Sequence, residues 1–154
     1  MTYIMNSVKG ISPETQKNLH FLALKVYEQA MRKYPEYFVA FDFVSYEDAG
    51  DLKSFANLVD EYFKDIKDVQ PVVSYHAGES FQRSNQNARH AIQVGSRRLG
   101  HGLNLLRDPG AIRMAREKGV TIEACPLSNN LLGYVTDLNW HPVKCLKEFG
   151  VKIR

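Results

Sequence analysis

The chain has 154 residues, 44% of them hydrophobic and 24% charged, ordinary globular values that exclude wholesale disorder. No apolar run approaches the ~20 residues of a membrane span, and the opening segment Met1–Lys9 lacks the basic flank and apolar stretch of a signal peptide. Twenty Lys and Arg against 17 Asp and Glu leave a net charge of +3, too mild and too evenly mixed for a nucleic-acid or anionic-membrane surface.

Helices and strands alternate along the chain. Ser12-Pro13-Glu14 opens the first helix with an N-cap, a proline at the first helical position and an acid at the positive dipole end. Leu19, Leu22, Ala23, Val26, Tyr27, Ala30, Met31 and Tyr34 then make one apolar face, and Pro35 ends it. Phe38–Val44 is a nearly continuous apolar run that suits a strand covered on both faces. Leu52, Phe55, Ala56, Val59, Tyr62, Phe63 and Ile66 form a second helical stripe, and Pro71–His76 reads as the next strand. A weaker helix follows from Asn85 to Val94, then a short strand at Arg98–His101. Asp108-Pro109 caps a helix that Gly119 stops, and Val120–Cys125 is a strand. His141-Pro142 opens a last helix through Val143, Leu146 and Phe149, and Val151–Arg154 begins a fifth strand.

Five strands with intervening helices mean βαβ units and a parallel sheet. An open doubly wound sheet and part of a (β/α)8 TIM barrel both fit; a whole barrel needs about 250 residues. Residues 1–154 read as a single partial domain with no linker or repeat. The two cysteines, Cys125 and Cys145, are too few for a disulfide framework or thiolate cluster and read as buried thiols.

In either architecture chemistry gathers at the carboxyl ends of the strands. Those positions hold Asp42, Ser45, Glu47 and Asp48; then His76-Ala77-Gly78-Glu79; then Gly100-His101-Gly102; then Glu123, Pro126, Ser128 and Asn129. Imidazole is a common zinc ligand, and a carboxyl three residues beyond it can enter the same pocket as a proton shuttle. His101 reads as a general base or as a turn residue, and small neighbours such as Gly78 let a ligand approach the backbone. Glu123 and Asp42, each inside an apolar strand, need polar partners. His20 falls off the apolar stripe and reads as solvated, His90 sits on the weak helix, and His141 reads as a helix cap. Phosphate-loop, dinucleotide-binding and nucleophile-elbow motifs are absent.

His76-Ala-Gly-Glu79, Arg98-Leu-Gly-His-Gly102 and Ile122-Glu-Ala-Cys-Pro-Leu-Ser-Asn129, in this order, resemble the adenosine deaminase family of zinc amidohydrolases. Leu103-Asn-Leu-Leu106, Leu132–Asp137 and His141-Pro142 are similar to its adenosine deaminase-related growth factor branch. The resemblance runs from about residue 38 to the C-terminus. It implies a (β/α)8 barrel that hydrolyses adenosine, or a related purine nucleoside, to inosine and ammonia with zinc as cofactor. By the same resemblance His76 is the metal ligand, Glu79 protonates the purine ring nitrogen, and His101 orients the attacking water and takes its proton. Glu123, and more weakly Asp42, would support His101, while Ser45 and Gly78 would line the substrate. The growth factor branch implies secretion; a cytoplasmic location is the alternative.

The chain also departs from the family. It has no His-x-His pair, it ends at Val151–Arg154 where an Asp-Asp pair is expected, and a Gly-His-Glu-Asp loop is replaced by Ser45-Tyr46-Glu47-Asp48. Only one expected protein ligand of zinc is present. The chain is therefore expected to be the C-terminal-side portion of a deaminase barrel, truncated at both ends and inactive alone. A competing expectation is a non-catalytic half-barrel that acts through binding or assembly, for example as a homodimer. A third keeps the enzyme but changes the substrate to another aminopurine or its nucleotide; no basic cluster follows the strand ends to hold a phosphate.

Overall fold

The structure, a computed structural model, describes residues 2–4, 12–38, 40–44, 47, 52–81 and 85–154. Its elements run β1 (Thr2–Ile4), α1 (Pro13–Lys33), β2 (Phe41–Val44), α2 (Leu52–Phe63), β3 (Val73–Ala77), α3 (Asn85–Gln93), β4 (Arg98–His101), α4 (Pro109–Glu117), β5 (Thr121–Glu123), α5 (Pro126–Leu131), α6 (Val143–Glu148) and β6 (Lys152–Ile153). The six strands form one sheet in the order β1-β2-β3-β4-β5-β6, and every pairing is parallel. A doubly wound sheet reverses its strand order at a switch point; strictly sequential order is the wall of a (β/α)8 barrel. The fold is thus a partial barrel of six consecutive strands.

Local chemistry explains the element ends. The Thr15 N–H donates to Ser12 Oγ (3.2 Å), so the cap satisfies a free helix amide just ahead of Pro13. Asp108 caps α4 in the same way through the Ala111 N–H (3.0 Å) and pairs with Arg89 as well. Gly119 ends that helix region at φ +66°, where a side chain would be strained.

The core lies between the sheet and its helices. Phe41 and Phe43 of β2 face it, with the Phe43 ring stacked on Phe55 of α2 at 4.0 Å and Tyr27 of α1 beside Phe41. Ala91 and Ile92 of α3, Ala115 of α4, and Leu99, Val120, Ile122 and Leu146 continue it. The opposite face of the sheet carries the polar residues of the strand ends.

Several expectations are corrected. Thr2–Ile4 is a sixth strand that sequence reading missed, because three residues carry no periodic signal. The strand predicted over 38–44 is covered on one face only: it alternates, with Phe41 and Phe43 buried and Asp42 and Val44 partly exposed. The packed face of α1 is Ala23, Leu24 and Tyr27; Leu19, Leu22 and Val26 are exposed, since its apolar residues are numerous enough to define two faces. His20 is half-buried, edge-on to Phe55 at 5.5 Å, rather than solvated. Phe149 and Cys145 are exposed, and both cysteines are free thiols. Pro126 starts a short helix, α5, to which the sequence reading assigned no element.

Candidate active site

Register places the inner face of the sheet. His76 pairs with Gly100, and Gly100 with Glu123, so the three lie in one row across β3, β4 and β5. Asp42 sits opposite Ser74, two residues from His76 and on the same face. Its Oδ1 is 3.2 Å from His76 Nδ1. Gly100 leaves the space into which the His76 ring fits.

His101 follows Gly100 and in a regular strand would face the helices. Its backbone is left-handed, φ +66°, the one non-glycine of this kind among the described residues. That breaks the alternation and sets the two imidazoles 5.2 Å apart, edge to face at 67°. Such a conformation costs about 1–3 kcal/mol and is characteristic of functional sites. His101 Nδ1 meets Asn129 Nδ2 at 2.9 Å and lies 3.3 Å from Glu79 Oε1.

Glu79 comes from the turn after β3. That turn is clamped by buried Glu47, which accepts from the N–H groups of Gly78 (2.6 Å) and Ser80 (2.8 Å). Burial pushes the Glu79 carboxyl above its ordinary range, only partly opposed by the His76 charge and the Ser128 hydroxyl. Its Oε1 is buried with no hydrogen-bond partner. Burial likewise raises Glu47, against its backbone hydrogen bonds. Burial opposes charge on His76, but the Asp42 hydrogen bond and charge, with Glu123 and Glu79, hold its pKa above the ordinary value. His101 is pushed down to about 4 by burial and by the charge of His76.

The structure therefore brings His76, Asp42, Glu79 and His101 together. Glu123 shares the row, but its carboxylate pairs with Arg98, not with His101. Arg98 and Gly100 lie on one face of β4, whereas the His101 ring has been turned toward Asn129. Asp42 supports His76 rather than His101. Gly78, expected to line the substrate, gives its N–H to Glu47, and a Cβ at this φ +80° position would stand 3.1 Å from Ala88 Cβ. Ser45 lies outside the described residues. Asn129 and Glu47 entered the sequence reading as strand-end polar residues and as members of motifs, without a role, and no local pattern marks their partners.

His76, His101 and Cys125 each offer one ligand atom, all within 4.8 Å of one another. His76 fits a metal: with Asp42 accepting from Nδ1, a neutral ring keeps its Nε2 lone pair free, the carboxylate–histidine pairing of metal sites. Burial raises the Cys125 thiol, so it offers a thiolate only when a cation favours one.

The adenosine deaminase family model matches residues 9–154. The chain belongs to the adenosine deaminase family. Relatives include adenosine deaminase 2-A of Danio rerio, 36% identical over 83% of this chain and 26% of that protein. The adenosine deaminase of Plasmodium gallinaceum is 31% identical over 95% of this chain and 43% of its own length. The chain thus spans roughly a quarter to two fifths of the length of these relatives. The same fold occurs in adenine deaminase from Arthrobacter aurescens, with TM-score 0.72, 20% identity, and coverage of 97% of this chain and 42% of that one. It occurs also in the N6-methyl-AMP deaminase of Arabidopsis thaliana, with TM-score 0.73, 12% identity, and coverage of 99% and 40%. Within the family's barrel, the paired His76 and Asp42 and the partly buried Glu79 occupy the strand ends where (β/α)8 enzymes hold their chemistry.

Proposed function

We propose that this chain is the metal-binding and proton-transfer part of a site that hydrolytically deaminates adenosine or a related purine nucleoside. The carrying observation is Glu79: a partly buried carboxyl with a raised pKa, whose Oε1 is buried without a hydrogen-bond partner, beside His101 and His76. Burial that raises the pKa of a carboxyl favours its acid form, the form that donates a proton. Glu79 gives its proton to the purine ring nitrogen next to the amino-bearing carbon. The oxygen of water bonds to that carbon and the carboxylate so formed takes a proton from the water; Glu79 then passes that proton to the amino group, the carbon–nitrogen bond breaks to release ammonia, and the hydroxyl proton returns to Glu79 as the carbonyl forms. His101 hydrogen-bonds the attacking water. When bound, zinc supplies Lewis acidity that brings the pKa of water toward neutrality; His76 would hold it, with Cys125 the further donor of this chain. The relatives' names support a purine substrate, and the structural neighbours' titles extend the choice to adenine and to a nucleotide.

Three donors are the minimum for catalytic zinc, and His101 Nδ1 is already engaged by Asn129. The isolated chain is therefore proposed to bind zinc weakly and to turn over nothing alone. Zinc content after dialysis, with the ultraviolet conversion of adenosine to inosine, tests this; stoichiometric zinc with turnover would overturn the inactive-portion reading. The nucleoside reading fails if adenosine, inosine and their monophosphates all leave the His76 and His101 imidazole signals unmoved in an NMR titration.

A second reading, assembly, is favoured by exposed Leu22 of α1 and exposed Leu131 and Trp140 near α5. Sedimentation at rising concentration tests it; a constant monomer would remove it.

A further inference from the structure

Three buried side chains behind the site form one hydrogen-bonded chain: His101, Asn129 and His141, exposed by 5%, 0% and 3%. It begins at the backbone of α6. The Val143 N–H, 3.2 Å from His141 Nδ1, can only donate. Nδ1 of His141 therefore holds a lone pair, and the neutral ring carries its hydrogen on Nε2. Nε2 lies 3.2 Å from Asn129 Oδ1 and donates to it. This fixes the Asn129 amide, which two neutral partners would otherwise leave free to turn over. Its Nδ2, 2.9 Å from His101 Nδ1, can only donate in turn. The backbone of Asn129 is held too, its carbonyl accepting from Tyr134 and Val135. The reverse orientation would put an N–H against each nitrogen of His141, which a neutral imidazole cannot accept.

We infer that Asn129 and His141 are positioning residues that lock neutral His101 as the Nε2–H tautomer. The lone pair of His101 is engaged within the protein, and the nitrogen left over carries a hydrogen. Glu79 Oε1 lies 3.3 Å from the same Nδ1, whose lone pair the Asn129 amide already engages. For the reaction, and resting there on the deaminase reading above, His101 acts as a hydrogen-bond donor to the attacking oxygen, not as the base that removes its proton. His141 thus acts on the chemistry through Asn129, in addition to capping α6.

The test is two-bond 1H–15N correlation NMR of the full chain labelled at its five histidines, without metal or nucleoside and above the ordinary histidine pKa of about 6.5. Single histidine replacements assign the signals. Both His101 and His141 are expected to show a lone-pair Nδ1 and a protonated Nε2. Asn129→Asp, which accepts on both sides, is expected to move the His101 hydrogen to Nδ1 while His141 stays unchanged. His101 protonated at Nδ1 in the native chain would overturn the inference, as would a folded Asn129→Asp with an unchanged tautomer. If Asn129→Asp does not fold, His141→Leu serves: the freed amide should leave His101 as a mixture, and retention of pure Nε2–H would remove His141 from the role. The spectrum needs no turnover, so its outcome is independent of the nucleoside titration that decides the deaminase reading.

Discussion

The imidazole of His76 lies across Gly100: a Cβ built on Gly100 would stand 2.8 Å from ring atoms Cγ and Cδ2. The backbone of Gly100 is not left-handed, so the requirement for glycine is one of space alone. Gly100→Ala is therefore expected to push the ring away from Asp42 and to cost about 1–3 kcal/mol by overpacking. Urea unfolding with histidine NMR measures both; an unshifted ring at native stability would show that the pocket has room.

Asp42 prepares His76 as a ligand by accepting its Nδ1 hydrogen at 3.2 Å. Asp42→Asn should lower the pKa of His76, because the carboxylate that favours the imidazolium is gone. It should also weaken zinc binding about 10–100-fold, the usual effect of losing such a partner. Competition against a chromophoric chelator gives the affinity. Equal affinity in both proteins would mean that zinc is not held through His76.

Glu47 holds the turn after β3 by accepting from two backbone N–H groups. Glu47→Gln keeps the shape but offers a single acceptor oxygen, leaving one buried N–H unpaired. A loss of about 1–3 kcal/mol is expected, with faster amide exchange at Gly78 and Ser80. Unchanged exchange at both amides would mean that the turn holds itself.

His101 should make stability depend on pH. The folded ring titrates at about 4, the unfolded one near 6.5. Between these values the unfolded chain binds more protons, so this contribution is fully present above 6.5 and is lost as pH falls toward 4. At 1.36 kcal/mol per pKa unit it amounts to roughly 3 to 3.5 kcal/mol. Glu47 and Glu79, whose pKa values are raised, act in the opposite sense as pH rises above the ordinary carboxyl range. Comparison with His101→Asn isolates the histidine: the stability difference between the two proteins should narrow as pH falls through the window. A difference independent of pH would show that the ring is not held neutral by burial.

Alternating apolar stripes and capped turns determined the βαβ order from sequence alone. Ser12-Pro13 and Asp108-Pro109 start helices wherever they stand, because capping is a contact between residues three apart. The motifs that contain Glu79, His101 and Asn129 marked the strand ends as the place for chemistry. Which residues meet there was decided only by the tertiary structure. Parallel register put Gly100 between His76 and Glu123, and the left-handed turn at His101 carried its ring to Asn129. Arg98 took Glu123, Asp42 took His76, and His141 reached Asn129 from a separate helix. Neither periodicity nor spacing encodes such pairings: they join residues on different elements, and competition for each donor and acceptor is settled only when the strands lie side by side.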